Sequence, residues 1–169
     1  MNPADSKAGN HQFPILVVDD EEIVLIALRY TFRQLGHNVS TASDAAAGLA
    51  LLRENTFAVV FTDLQMPELT GLESLAQVKQ LQPGAARVLI TAVLNLTTVI
   101  NAINRAEVFR FLIKPWQRED LLETVQAATA RQEVGQRDRF ALAAAQSSVE
   151  SLTSRLNALK DELALHRKA

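Results

Sequence analysis

Residues 57–71 read FAVVFTDLQMPELTG, an apolar run that ends at Asp63 and enters a loop containing Pro67 and Gly71. Residues 57–62 are apolar or β-branched, a run too short for a typical helix but suited to a strand buried on both faces. Such strands belong to parallel sheets, which bind ligands beyond the carboxyl ends of their strands. Asp63 therefore stands where a reactive group is expected. The alternative is that Asp63 only begins a turn, because its short side chain can accept hydrogen bonds from the loop backbone.

The same alternation of strand and helix extends on both sides of this stretch. Further strands are predicted at residues 15–18, 37–42, 87–91 and 108–113. Helices are predicted at residues 23–35, 44–55, 72–81, 94–106 and 118–131, with Gly36 capping the end of the first and Ser43 the start of the second. Five strands alternating with helices through short connections predict an α/β fold with a parallel sheet covered on both faces.

The first of these helices is predicted from one apolar stripe. Its members recur at helical spacing: Ile23, Ile26, Ala27, Tyr30 and Leu35.

Composition indicates one domain of ordinary size with an appendage. The chain has 169 residues, 48% of them apolar and 21% charged, and contains no cysteine. No stretch has the length of a membrane span, and residues 1–12 lack the pattern of a secretory signal, so we expect a cytoplasmic protein with a flexible tail at residues 1–12. Residues 1–135 carry 11 basic and 15 acidic side chains, and residues 136–169 carry 6 and 4. Neither part resembles a nucleic-acid surface, and we expect no direct DNA binding.

Polar side chains follow the predicted strands at their carboxyl ends: Asp19 and Asp20, Asp63, Thr91, and Lys114. Carboxylates brought together repel one another unless a cation neutralises them, and oxygen ligands without His or Cys suit Mg²⁺. The ammonium of Lys114 and the hydroxyl of Thr91 suit phosphoryl oxygens. Together these groups are what an aspartyl-phosphate intermediate requires. For Asp20 the alternative is a helix N-cap.

Four motifs carry a resemblance to a known family. They are VVDDEE at residues 17–22, TDLQMPELTG at 62–71, LITA at 89–92 and FRFLIKP at 109–115. In this order, each at a strand end, they resemble the receiver domain of a two-component response regulator, over roughly residues 13–130. The resemblance implies a flavodoxin-like, doubly wound sheet with strand order 2-1-3-4-5. It also implies a partner histidine kinase or phosphotransfer protein that supplies the phosphoryl group.

The resemblance further implies the roles of the site residues. Asp63 would be the phosphoacceptor, assisted by Lys114 and Thr91, and the Lys114–Pro115 peptide bond would be cis. Mg²⁺ would bind Asp20, Asp63 and the backbone carbonyl of Gln65 directly, with Asp19 acting mainly through water.

A switch is also implied by the resemblance. Thr91 and Phe111 would change position together on phosphorylation, with Phe111 where the family often has tyrosine. The alternative for Phe111 is plain core packing beside Phe109 and Ile113.

The composition changes beyond Gly135, and apolar residues then alternate by three and four. This heptad seam consists of Leu142, Ala145, Val149, Leu152, Leu156, Leu159 and Leu163. It predicts that residues 131–169 form an extended C-terminal helix and that residues 140–166 pair two chains as a coiled coil. Val149 at one core position and Leu152 at the next favour a two-stranded coiled coil whose helices run parallel. The alternative is a helix that folds back on its own receiver.

We therefore expect a signalling module rather than an enzyme. An aspartate-nucleophile phosphatase of the haloacid-dehalogenase type would need a second aspartate two residues after Asp63, where Gln65 stands. A phosphorylation-independent scaffold is the other alternative, although all the pocket residues are present. No motif of an output enzyme or of a helix-turn-helix follows residue 135.

Overall fold

The structure, a computed structural model, describes residues 13–92, 95, 97, 100 and 106–166. Its elements in chain order are β1 (Pro14–Val18), α1 (Glu22–Gln34), β2 (Asn38–Ala42), α2 (Ala45–Glu54), β3 (Val59–Asp63), α3 (Gly71–Leu81), β4 (Ala86–Thr91), β5 (Arg110–Ile113) and α4 (Arg118–His166). The predicted tail at residues 1–12 lies outside the described residues, as does most of the helix predicted at 94–106.

The five strands form one parallel sheet in the order β2-β1-β3-β4-β5. The doubly wound sheet with order 2-1-3-4-5 is therefore confirmed. Val18 pairs with Thr62, Asp63 pairs with Ile90, and the carboxyl ends of these strands consequently lie at one edge of the sheet. Parallel strands buried on both faces explain why their sequences are nearly continuous apolar runs.

Two apolar clusters cover the two faces of the sheet. On one face, Leu28 and Phe32 of α1 join Leu121 and Val125 of α4. The rings of Phe32 and Phe61 contact each other with centroids 4.8 Å apart and planes tilted by 36°. The other face is covered by buried residues of α2 and α3, which are Ala45, Leu49, Leu52, Leu75 and Val78. Each large apolar side chain buried in this way contributes roughly 1.5–3 kcal/mol. The core therefore holds the sheet edge rigidly in place from both sides.

Helix α1 forms as predicted, but most of the stripe that predicted it does not pack. Its buried residues are Val24, Leu28 and Phe32, whereas Ile23 and Tyr30 are 76% and 66% exposed. Both stripes have helical spacing on the same helix, so periodicity alone cannot choose between them. Packing against the sheet determines that the stripe of Val24, Leu28 and Phe32 is the buried one.

The helix starts use side chains that the sequence analysis did not assign. Asp44, not Ser43, caps α2, since its carboxylate accepts a hydrogen bond of 2.7 Å from the amide of Ala47. Thr70 and Glu73 form a reciprocal capping box at the start of α3. These caps satisfy amides that would otherwise lack partners within their helices.

A buried arginine joins two loops at the amino-terminal edge of the sheet. Arg87 is only 4% exposed, and its Nε donates to the carbonyl of Ala106 at 2.6 Å. Its Nη1 donates to the carbonyl of Ala85 at 2.9 Å, and its Nη2 lies 3.4 Å from the carboxylate of Glu107. Buried charge is tolerated only when it is paired and hydrogen-bonded, as Arg87 is. The sequence predicted Arg87 as a strand residue but gave no sign that its side chain is buried.

Helix α4 includes Gly135 in its span, and the chain divides after Gln132 into two compact units. In the first unit, the side-chain Nε2 of Gln132 donates to the carbonyls of Ala58 and Gly84, each at 3.0 Å. In the second unit, Leu142 and Val149 of the heptad seam are 60% and 62% exposed. The coiled coil stays a prediction.

Within the described residues, no helix combines the length and the apolar content that crossing a membrane requires.

Gly71→Ala should lower the free energy of unfolding by about 1–3 kcal/mol, because a Cβ at this position would overlap the backbone carbonyl of Asp63. Urea denaturation, monitored by circular dichroism, measures the change in the free energy of unfolding. Gly135→Ala is the matched control, since a Cβ there meets no heavy atom within 4 Å. The control should be neutral or stabilising. Equal stability of Gly71→Ala and the wild-type chain would contradict the close approach.

Candidate functional site

The ammonium of Lys114 lies among three carboxylates at the carboxyl edge of the sheet. Its Nζ is 2.8 Å from Oδ1 of Asp63, 3.1 Å from Oδ2 of Asp19 and 2.9 Å from Oε1 of Glu21. Asp19 is fully buried, and Asp63 is 6% exposed. The structure thus brings together three of the residues predicted from the strand ends, and adds Glu21.

The backbone around β1 fixes the position of Asp19. Asp19 directly follows β1, and its amide donates to the carbonyl of Ala42 at 3.2 Å, which continues the pairing with β2. Its Oδ1 accepts a hydrogen bond of 2.9 Å from the amide of Glu21. One carboxylate oxygen therefore orders the turn into α1, and the other faces Lys114.

Asp63 is the last residue of β3 and serves both as a turn residue and as a site residue. Its Oδ2 accepts a hydrogen bond of 2.6 Å from the amide of Gln65, which is the turn contact given above as the alternative. Its Oδ1 lies against Lys114. Because a carboxylate has two oxygens with several acceptor sites, the two roles do not compete. Leu64, which follows Asp63, donates its amide to the carbonyl of Ile90 at 2.8 Å and ties the loop to β4.

Lys114 follows β5 and is held by the neighbouring strand. Its amide donates to the carbonyl of Thr91 at 2.9 Å, and the Lys114–Pro115 peptide bond is cis, which confirms the prediction. Thr91 ends β4 and is 2% exposed. Asp63, Thr91 and Lys114 thus stand at the ends of three adjacent strands.

Burial and charge act in opposite directions on these groups. Burial raises the pKa of Asp19, and the hydrogen bond from the Glu21 amide and the charge of Lys114 offset this only in part. Burial alone would lower the pKa of Lys114, but its hydrogen bonds to Asp63, Glu21 and Asp19 outweigh burial and raise it. Lys114 is therefore a fixed cation at neutral pH.

The residues predicted to bind magnesium supply oxygen donors. Asp20 is exposed beside the buried Asp19, and Asp63 and Gln65 are joined by their turn contact. Among the described residues, no group of three or more His, Cys, Asp or Glu side chains is arranged as a preformed metal cluster. Carboxylates of Asp19 and Asp63 already share one cation, the ammonium of Lys114, and such a donor set suits a hard ion. Magnesium binding by Asp19, Asp20, Asp63 and Gln65 stays a prediction.

The structure differs from two predicted alternatives, in the N-cap of α1 and in the neighbours of Phe111. The N-cap of α1 is Glu21, not Asp20, because Asp19 and Glu21 together make the turn before the helix. Phe111 is half-buried in one apolar cluster while Phe109 packs against the other, and Ile113 is exposed. Strand β5 begins at Arg110, so Phe109 does not follow the strand alternation that would place it beside Phe111. The switch role of Phe111 stays a prediction.

Glu21 is the site residue that the sequence analysis missed. It belongs to the acidic run after β1, but only Asp19 and Asp20 were assigned to the site. Its place two residues after Asp19 could have indicated this role, because the chain between the end of β1 and the start of α1 lies at the carboxyl edge of the sheet.

Sequence comparisons agree with this geometry. A family model described as the response regulator receiver domain matches residues 15–126. The alginate biosynthesis transcriptional regulatory protein AlgB of Pseudomonas aeruginosa is 36% identical over 163 residues, which are 96% of this chain and 31% of that protein. The hydrogenase transcriptional regulatory protein HoxA of Cupriavidus necator is 35% identical over 124 residues, 73% of this chain and 26% of that protein. The matches thus span less than a third of these relatives.

Solved structures agree as well. The signal receiver domain of an HD domain-containing protein from Pseudomonas fluorescens is 31% identical, with a TM-score of 0.70 over 73% of this chain and 98% of that one. A CheY-like response regulator receiver domain protein from Methanospirillum hungatei is 27% identical, with a TM-score of 0.71 over the same shares. With the strand order and the Asp63–Lys114 edge, these matches show that the chain belongs to the response regulator receiver domain family.

Proposed function

We propose that Asp63 accepts a phosphoryl group from a histidine kinase or a phosphotransfer protein, and that the phosphorylated receiver signals through a homodimer. The observation that carries the proposal is the ammonium of Lys114, 2.8 Å from the carboxylate of Asp63 at the carboxyl edge of the sheet. A nucleophile that is 6% exposed, at this edge of the sheet and beside a fixed cation, suits attack on an anionic group.

The transfer makes one bond and breaks one bond. A carboxylate oxygen of Asp63 attacks the phosphorus, the bond from phosphorus to the donor's imidazole nitrogen breaks, and the nitrogen keeps the electron pair. The acyl phosphate that forms on Asp63 carries more negative charge than the free carboxylate. Lys114 supplies the matching cation, and the hydroxyl of Thr91, at the end of the adjacent strand, is the second donor that we assign to a phosphoryl oxygen.

We assign Asp19, Asp20, Asp63 and the backbone carbonyl of Gln65 to Mg²⁺, because their oxygen donors stand at the same edge as the acceptor. When bound there, the ion would neutralise charge on the transferred phosphoryl oxygens. Asp19 also positions the protein groups of this site. One of its carboxylate oxygens contacts Lys114, and the other accepts a hydrogen bond from the backbone amide of Glu21.

The second part of the proposal concerns residues 140–166, which we assign to a parallel coiled coil between two chains. Leu142 and Val149 lie exposed in the single chain, as expected of seam residues that lack their partner helix. The first compact unit ends at Gln132, whose side-chain Nε2 donates two hydrogen bonds, to the carbonyls of Ala58 and Gly84. A switch through Thr91 and Phe111 would act on how two receivers pair.

The alternatives make different demands on the site. A phosphatase that uses Asp63 as its nucleophile needs a general acid, and Gln65, at the position where that family has an aspartate, is not acidic. A phosphorylation-independent scaffold would take no phosphoryl group at all.

Intact-mass measurement with acetyl phosphate and Mg²⁺ tests the phosphoacceptor. The wild-type chain should gain one phosphoryl group, and Asp63→Asn should gain none, because the amide oxygen is a much weaker nucleophile than a carboxylate. Asp44→Asn is the matched control, since asparagine also caps helices and Asp44 lies at the start of α2. Labelling of Asp63→Asn to the wild-type extent would show that the assignment is wrong, and an unlabelled wild-type chain would favour the scaffold.

Light scattering at tens of micromolar tests the coiled coil. The full chain should have the mass of a dimer. A chain ending at Gln132 should have the mass of its own monomer, or should associate more weakly than the full chain. Val149→Lys places a charge on the seam and should dissociate the dimer, whereas Ser147→Lys, on the outer side of the heptad, should not. A full chain that is monomeric both with and without beryllofluoride would refute the dimer.

A further inference from the structure

Glu21 occupies the N-cap of α1 without capping it. Its side chain makes no capping hydrogen bond, although short polar residues at this position usually bond to the first-turn amides. Its backbone is nevertheless held on both sides. The Glu21 amide donates to Asp19, and its carbonyl accepts from the amides of Val24 and Leu25 at 3.0 and 3.2 Å. The backbone therefore fixes where the side chain starts.

The side chain of Glu21 reaches Lys114 instead. Its Oε1 lies 2.9 Å from Nζ, against 2.8 Å from Nζ to Oδ1 of Asp63. An ammonium has three N–H donors, and the three carboxylates of Asp19, Glu21 and Asp63 use all of them. No donor of Lys114 is left for a phosphoryl oxygen while all three contacts persist.

The three contacts differ in what it takes to break them. The side chain of Asp19 is fully buried, and that of Asp63 is 8% exposed, so either would lose its counter-ion where water replaces it poorly. The side chain of Glu21 is 59% exposed, and water can replace its contact at once. Glu21 is therefore the partner that Lys114 gives up most easily.

We propose that Glu21 is a positioning residue that latches Lys114 while Asp63 is unphosphorylated and releases it to the incoming phosphoryl group. The proposal rests on the proposed function of Asp63 and adds a control on its rate. The latch stabilises the unphosphorylated state only, and its carboxylate also repels anionic donors at the mouth of the site. Removing the latch should therefore accelerate phosphorylation and leave hydrolysis of the phosphoryl group unchanged.

A double-mutant cycle tests the contact without any phosphodonor. Glu21→Gln should lower the melting temperature of the wild-type chain, because Lys114 loses an ionic partner. In a Lys114→Met background the same change should raise the melting temperature, because it removes one of three carboxylates that then repel one another. Glu22→Gln, one residue on and likewise exposed, is the matched control and should shift both backgrounds alike. Equal shifts by Glu21→Gln in both backgrounds would overturn the latch.

Phosphorylation kinetics test the consequence. With acetyl phosphate and Mg²⁺, Glu21→Gln should be labelled about fivefold faster than the wild-type chain, and the gain should shrink as salt screens the exposed charge. Loss of the label after removal of the donor should proceed at the wild-type rate. Glu22→Gln should match the wild-type chain in both steps.

The outcomes separate the latch from the function on which it rests. A wild-type chain that takes no phosphoryl group overturns both the proposed function and the latch. A wild-type chain that is labelled, with Glu21→Gln labelled no faster, overturns only the latch. Acceleration by Glu22→Gln to the same extent would also overturn it, since the effect would then come from net charge alone.

Discussion

The candidate site depends on one ion cluster, in which the ammonium of Lys114 is shared by the carboxylates of Asp19, Glu21 and Asp63. The parallel sheet brings these groups together, because the strands that carry them end at the same edge. Without the ammonium, the cluster would contain three negative charges, two of them on nearly buried side chains. Lys114 thus supplies a counter-charge to a reactive carboxylate in a mostly buried position.

Arg87 and Lys114, at opposite edges of the sheet, show how the same fold separates structure from function. Arg87 donates mainly to backbone carbonyls, which cannot leave without unfolding the loops that carry them. Lys114 donates to side-chain carboxylates, and one of these is largely exposed. A cation held by the backbone is suited to fixing a loop. A cation held by side chains can exchange its partners, which is what a group that meets an incoming phosphoryl group must do.

The sequence predicted the five strands, their order through the family resemblance, and the gathering of Asp19, Asp63 and Lys114. These follow from apolar runs that end in polar residues, a pattern that the parallel sheet imposes on every strand. The buried face of α1 could not be predicted, because the stripe of Ile23 and Tyr30 and that of Leu28 and Phe32 have equivalent spacing. The burial of Arg87 and the contact of Glu21 with Lys114 depend on residues about twenty and more than ninety positions away in the chain. No local pattern encodes the burial of Arg87, and the place of Glu21 two residues after Asp19 indicates that it lies near the site but not that it contacts Lys114.

The central claim is that Lys114 and Asp63 form one unit that a phosphoryl group enters, and lysine ammonium NMR tests it most directly. The chain has five lysines, so Lys114 can be assigned in a ¹⁵N-lysine sample by comparison with Lys114→Met. We predict a Lys114 ammonium signal that is protected from exchange in the wild-type chain, and that shifts on addition of acetyl phosphate and Mg²⁺. In Asp63→Asn the shift should be absent. A Lys114 signal that exchanges like those of exposed lysines, or that shifts equally in Asp63→Asn, would contradict the account.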